Sequence, residues 1–195
     1  MNKFLIEKAR IFVENEIKKS TSILPVDFYF DHLVPMQKHS KKLCRILGGD
    51  FEIVLLAAWL HDIGSIIYGR KDHHITSAKI AKDFLEKENY DRKKITRVLA
   101  CIKHHRQSTN LARETLEEKI IADTDAICNF DMLAGLFYAT LVIEKLTSIE
   151  AARSIKKKLK NKWQRLHFKE SKELIKPKYK AAMLLLKENS KLNQT

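Results

Sequence analysis

The sequence predicts an all-α fold, and three observations carry that expectation. Gly and Pro number only 5 and 3 among 195 residues, while Leu, Ile, Lys, Glu and Ala are abundant. Apolar residues recur at three- and four-residue steps through most of the chain. The stretch Phe51 to Gly64, FEIVLLAAWLHDIG, is apolar almost all round and stops on His61 and Asp62 side by side. Such a run reads as a helix buried in a domain, since a membrane span needs roughly 20 residues. An imidazole and a carboxylate at its end are costly unless paired, and a metal ion satisfies both together.

A chain of this length can bury a core without disulfides or structural zinc. Residues 1–150 are expected to form the helical unit that holds the site, with 151–195 as basic C-terminal helices packed on the same domain. Cys44, Cys101 and Cys128 lie far apart in apolar segments with no C-x-x-C, as core thiols of a cytoplasmic protein do. The start, MNKFLIEKARIFVENEIKK, is broken by charges every three or four residues, so it reads as an amphipathic helix and not a signal peptide. No segment is expected to span a bilayer, and the expected location is cytoplasmic. Residues 151–195 hold 14 Lys and Arg against 3 Glu, which accounts for +11 of the +13 net charge. The remainder is near neutral, so the site region does not read as a nucleic-acid groove. Contact of the basic end with nucleic acid or another anionic surface is the less favoured expectation.

Taken in order, a first helix is expected over residues 2–19 from Phe4, Leu5, Ala9, Phe12 and Val13. A turn around Pro25 follows. Asp31 is the expected N-cap of a helix that ends at Gly48-Gly49, with Pro35 tolerated near its first turn and His32 at its start. Asp50 caps the buried helix. A loop from Ser65 to Asp72 carries Arg70 and Lys71, a cationic rim able to meet a phosphate. His73 and His74 open a helix ending near Asn89, and Asp91 caps another that leads to His104, His105 and Arg106. After a polar loop from Gln107, one long helix is expected from Glu114 to Leu146, with Asp123 and Asp125 inside it. Carboxylates in so apolar a helix must face something positive. A further helix starts at Ser148, with Lys156 to Lys160 as a solvated face, and Pro177 is expected to separate it from a last one before a polar end.

Seven of the eight histidines fall between His32 and His105, each at a helix end or against an apolar helix, and His167 is read as structural. Convergence on one cavity between helices is therefore expected. Imidazole and carboxylate ligands without thiolate suit a divalent ion such as Mn, Fe, Co, Ni or Mg better than a structural zinc.

AAWLHDIG, His32 upstream and KIIADTDAICNF downstream resemble the HD-domain metal-dependent phosphohydrolases over roughly Phe28 to Phe130. The resemblance implies an HD-like helical bundle whose ion is held by His32, His61, Asp62 and an aspartate. That aspartate is Asp125 when matched by the residues that follow and Asp123 when matched by the Ala-Asp pair, and Asp125 is preferred. DHHITSAKIA and CIKHHRQS resemble the segments that bring histidines to a second ion in bimetallic members. His73 and His105 fit best, with His74 and His104 beside them, and Asp62 is then the bridging carboxylate. Arg70, Lys71 and Arg106 are candidate phosphate clamps. Asp62, Asp123 and Arg106 are the candidate catalytic residues, Asp123 as general acid/base or as a residue orienting a ligand.

The implied activity is hydrolysis of a phosphate ester or anhydride in a small, nucleotide-like substrate, with one or two divalent ions. The glycine-tyrosine-proline motif of the cyclic-dinucleotide-degrading branch is missing, and Pro35 replaces an arginine often found there. Two alternatives stand beside this reading. One is a di-iron oxygenase of the same fold, and the other a non-catalytic nucleotide- or metal-binding regulator.

Overall fold

Helix α1 (Lys3–Lys19) starts where the Asn2 side chain accepts the Leu5 N–H, and it turns Leu5, Ala9 and Val13 into the protein. The computed structural model describes residues 1–20, 29–106 and 111–186, and over these it is helical without strands. The turn expected around Pro25, residues 107–110 of the polar loop and the polar end from 187 lie outside the described residues.

A π-helical turn (Tyr29–Leu33) runs directly into α2 (Val34–Leu47), in place of a cap at Asp31. Pro35 falls in the first turn of α2, where its missing N–H costs no intrahelical bond. Gly48 and Gly49, at φ +88° and +98°, stop the helix in a backbone conformation that a side chain would strain. Asp50 then caps α3 (Phe51–Leu60) by accepting the N–H groups of Glu52 and Ile53.

Every residue of α3 from Glu52 to Leu60 is buried, so its all-round apolarity is matched by neighbours all round. It touches α1 and α2, and also α5 (His73–Lys87), α6 (Arg92–His104) and α7 (Leu116–Asp131). Fully buried side chains such as Ile53, Leu56 and Leu60 each contribute about 1.5–3 kcal/mol. The continuous apolar stretch Phe51–Tyr68 has the length and composition of a membrane span, contrary to expectation, but 78% of it is buried inside the protein, as befits a core helix.

Glu52 is the polar exception on α3. Burial acts against its charge, but bonds from the Tyr90 hydroxyl, the Asn2 N–H and the Lys94 ammonium hold the carboxyl down to about 2. A carboxylate depressed in the fold contributes stability above its unfolded value of about 4.5, and that contribution is lost as pH falls towards about 2. Glu52→Gln should therefore cost about 1–3 kcal/mol at pH 7 and reduce the steepness of stability loss between pH 4.5 and 2, as read by denaturant melts.

Three further expectations change. The segment after His61-Asp62 is not all loop, because Ile63 and Ile66 extend the apolar pattern and form α4 (Ile63–Tyr68), leaving a short connection to α5. The long helix ends at Asp131, whose carboxylate is tied to His39 (2.6 Å) and Lys178, and the following α8 (Leu133–Tyr138) with the π-helical turn Ala139–Ile143 bends away by 79°. His39 is thereby half-buried and paired. Finally, α9 (Ser148–Gln164) breaks near Arg165, and α10 (Lys169–Leu185) runs through Pro177. Both helices pack against α7.

Candidate metal centre

Five of the expected ligands stand at helix ends around the end of α3. His32 lies in the turn before α2, His61 closes α3, Asp62 precedes α4, His73 opens α5 and His105 follows α6. Asp125 reaches them from the middle of α7. Each is held by an element whose apolar face is buried in the same core, so the packing of α3 fixes the meeting point.

The side chains form two groups that share one carboxylate. Asp62 Oδ2 faces His32 Nε2 at 3.4 Å and His61 Nε2 at 3.5 Å, and those two nitrogens are 3.0 Å apart. Asp62 Oδ1 faces His73 Nε2 at 3.2 Å and His105 Nε2 at 3.8 Å, which are 3.2 Å from each other. Asp125 Oδ1 joins the first group, 3.8 Å from His32 Nε2.

The tautomers decide what these groups can hold. The Nδ1 atoms of His61, His73 and His105 meet the carbonyls of Ala58 (3.0 Å), Arg70 (2.9 Å) and Ile102 (2.6 Å). A carbonyl only accepts, so each Nδ1 carries the proton and each Nε2 of the neutral ring presents a lone pair. Burial, followed by the neighbouring His61, pushes His105 down to about 3, and burial also lowers His61. In these tautomers the neutral rings of His73 and His105 aim their Nε2 lone pairs at each other beside a carboxylate. That arrangement fits a cation among them. Ligand atoms about 2.1 Å from an ion lie about 3.0–3.4 Å apart, close to the observed separations. Burial opposes charge on Asp62 and Asp125, yet His61 and His32 around Asp62, and Lys162 beside Asp125, hold both carboxyls low.

Other expected residues fall elsewhere. Asp123 is fully buried and points away: its carboxylate accepts the N–H groups of His167 and Phe168 and meets His167 Nδ1 at 2.7 Å. It thereby ties the start of α10 to α7, a structural engagement that leaves it off the His32 group. His104 is bonded to Glu118 (2.6 Å), and His74 is half-buried beside His73. Arg70 and Lys71 are exposed on the connection that also supplies the carbonyl to His73, while Arg106 is half-buried next to His105.

Two residues were missed in the sequence. Lys162 of α9 bonds Asp125 Oδ2 at 2.8 Å, and Lys158, read there as solvated, is half-buried one turn earlier. The available signal was their position flanking the buried ridge Ala151, Ile155 and Leu159, which the run of lysines obscures.

The HD domain family matches residues 29–129, just over half of the 195. The chain belongs to the HD-domain family. All six convergent side chains lie within the matched region, whereas Lys158 and Lys162 lie beyond it. The HD-domain chain is also similar in fold to solved structures. A Listeria innocua protein aligns at 18% identity and TM-score 0.72, over 95% of this chain and 94% of its own. A Lactobacillus plantarum protein aligns at 15% identity and TM-score 0.76, over 95% of each chain. A Bacillus thuringiensis protein described as an HD-superfamily hydrolase aligns at 18% and 0.74, again over 95% of each. Comparison with curated proteins finds no significant match.

Proposed function

We propose that this HD-domain chain is a metal-dependent phosphohydrolase acting on a phosphate ester or anhydride of a small, nucleotide-like substrate. The carrying observation is the pair of imidazole groups that share Asp62, each with its ligand atoms gathered closely enough to hold one ion. His32, His61, Asp62 and Asp125 would hold one divalent ion, and Asp62, His73 and His105 a second. Bound divalent ions supply Lewis acidity, polarising a phosphoryl oxygen and making water a better nucleophile at neutral pH.

The protein's own residues then have defined tasks. Backbone carbonyls fix the tautomers of His61, His73 and His105, so none of these three rings needs to lose a proton before a ligand binds. Asp62 spans both groups and sets their spacing. Arg70, Lys71 and Arg106 adjoin His73 and His105 along the chain and would take phosphoryl oxygens, neutralising charge as water adds to phosphorus and the bond to the leaving oxygen breaks. Asp123, being committed to His167 and Phe168, is better read as an organiser of α7 and α10 than as an acid or base.

Elemental analysis joined to a screen of phosphomonoesters, phosphodiesters and nucleoside triphosphates, with Mn or Co added, tests this reading. Release of phosphate or diphosphate by wild type is the expected result. Iron in the purified chain with oxygen consumption, and no phosphate release from any substrate, would overturn it in favour of oxygenase chemistry.

A further inference from the structure

We propose that α9 supplies part of the substrate site: Lys158 and Lys162 bind phosphoryl oxygens at the metal centre, with Arg70 as their third partner. This role rests on the phosphohydrolase reading and extends it to a helix beyond the region that matches the HD domain.

The position of Lys162 is the first observation. One oxygen of Asp125 faces the His32 nitrogen at 3.8 Å, and the other accepts from Lys162 at 2.8 Å. The ammonium is thus one carboxylate's width from the ligand atoms. An ammonium has three donors, and among the described residues Lys162 bonds Asp125 alone, so two remain to be used.

Lys158 is the second observation. It precedes Lys162 by one helical turn, about 5.4 Å along the axis, and both flank the buried ridge of Ile155 and Leu159. Among the described residues neither the Lys158 ammonium nor the Arg70 guanidinium makes a hydrogen bond or ion pair. The charged groups facing Lys158 are Lys162 and Arg70, which oppose its charge, and Asp125 and the exposed Glu144, which favour it. Burial and the two neighbouring cations push it down to about 8.

A half-buried cation set beside two others is unfavourable in the free protein, and an arriving anion removes the cost. Two divalent ions would already exceed the charge of Asp62 and Asp125, which sharpens the demand. A role limited to holding Asp125 would account for Lys162 but leave Lys158 unexplained. Of the other lysines of the run, Lys157 and Lys160 are exposed and Lys156 is half-buried.

The test uses the full chain loaded with Mn, titrated with inorganic phosphate by calorimetry. Lys158→Gln and Lys162→Gln should each retain wild-type Mn content and lose roughly tenfold in phosphate affinity, and the double variant roughly a hundredfold. Lys157→Gln should match wild type. With a substrate from the screen, KM should rise more than kcat falls. Wild-type phosphate affinity in Lys158→Gln and in the double variant would overturn the role of α9. So would loss of Mn from Lys162→Gln alongside unchanged affinity in Lys158→Gln, which would make Lys162 a support for Asp125. The binding measurement does not depend on turnover. Absence of hydrolysis by wild type counts against the phosphohydrolase reading, whereas normal phosphate binding by the double variant counts only against α9.

Discussion

Asp62→Ala is expected to abolish binding of both ions together and to lower phosphate release by at least about a thousandfold, equivalent to about 4 kcal/mol of barrier. The reason is the division of its carboxylate, one oxygen towards His32 and His61 and the other towards His73 and His105. Among the described residues Asp62 is the one side chain common to both groups of ligand atoms. Changes confined to one group should therefore behave differently: His73→Ala with His105→Ala should leave one equivalent of metal, and His32→Ala with His61→Ala should remove the other. Thermal stability gives a readout independent of turnover. Metal that binds only the folded state raises Tm by mass action, so Mn should raise the Tm of wild type and leave that of Asp62→Ala unmoved. An Asp62→Ala protein that retained two equivalents of Mn, or gained stability from it as wild type does, would remove Asp62 from the bridging position.

The helical class and the side chains that converge beside the end of α3 were readable because both rest on local pattern. FEIVLLAAWL is apolar on every face, and only a helix surrounded by others accommodates that. The histidines marked themselves by position, each at an end of an apolar run. Choosing Asp125 over Asp123 is consistent with the geometry, for a reason invisible along the chain: Asp123 is occupied by backbone N–H groups that arrive from forty-four residues away. Lys158 and Lys162 were hidden in the same manner. A run of lysines has no internal contrast, and only the packing of α9 on α7 shows which of them turn inward. The break at Asp131 likewise depends on partners from α2 and α10, and Pro177 misled because a proline inside a helix is tolerated when tertiary packing holds the turn.

Gly64→Ala is expected to destabilise the protein by about 3 kcal/mol, lowering Tm by about 6–12 °C, against the direction that helix propensity gives. Gly64 lies inside α4, where alanine would ordinarily gain about 1 kcal/mol. Here α4 and α5 approach too closely for a side chain. A Cβ on Gly64 would lie 2.2 Å from Thr76 Oγ1, 2.6 Å from the Ser77 nitrogen and 3.0 Å from the His73 carbonyl oxygen. The Gly64 N–H also donates to Ser77 Oγ at 2.9 Å, so the two helices are pinned where they would have to separate. The Thr76 hydroxyl could rotate away, but two of the three obstacles are backbone atoms and cannot. Combining Gly64→Ala with Thr76→Ala should therefore recover only a minor part of the loss, and full recovery would show that the contact with backbone is not limiting. Because α5 begins at His73, relief of the clash must carry that imidazole away from Asp62. Mn titration of Gly64→Ala should then show the second equivalent weakened, while the first, proposed at His32, His61, Asp62 and Asp125, keeps its affinity. The close approach of α4 to α5 is thus what sets His73 against Asp62 in the candidate centre.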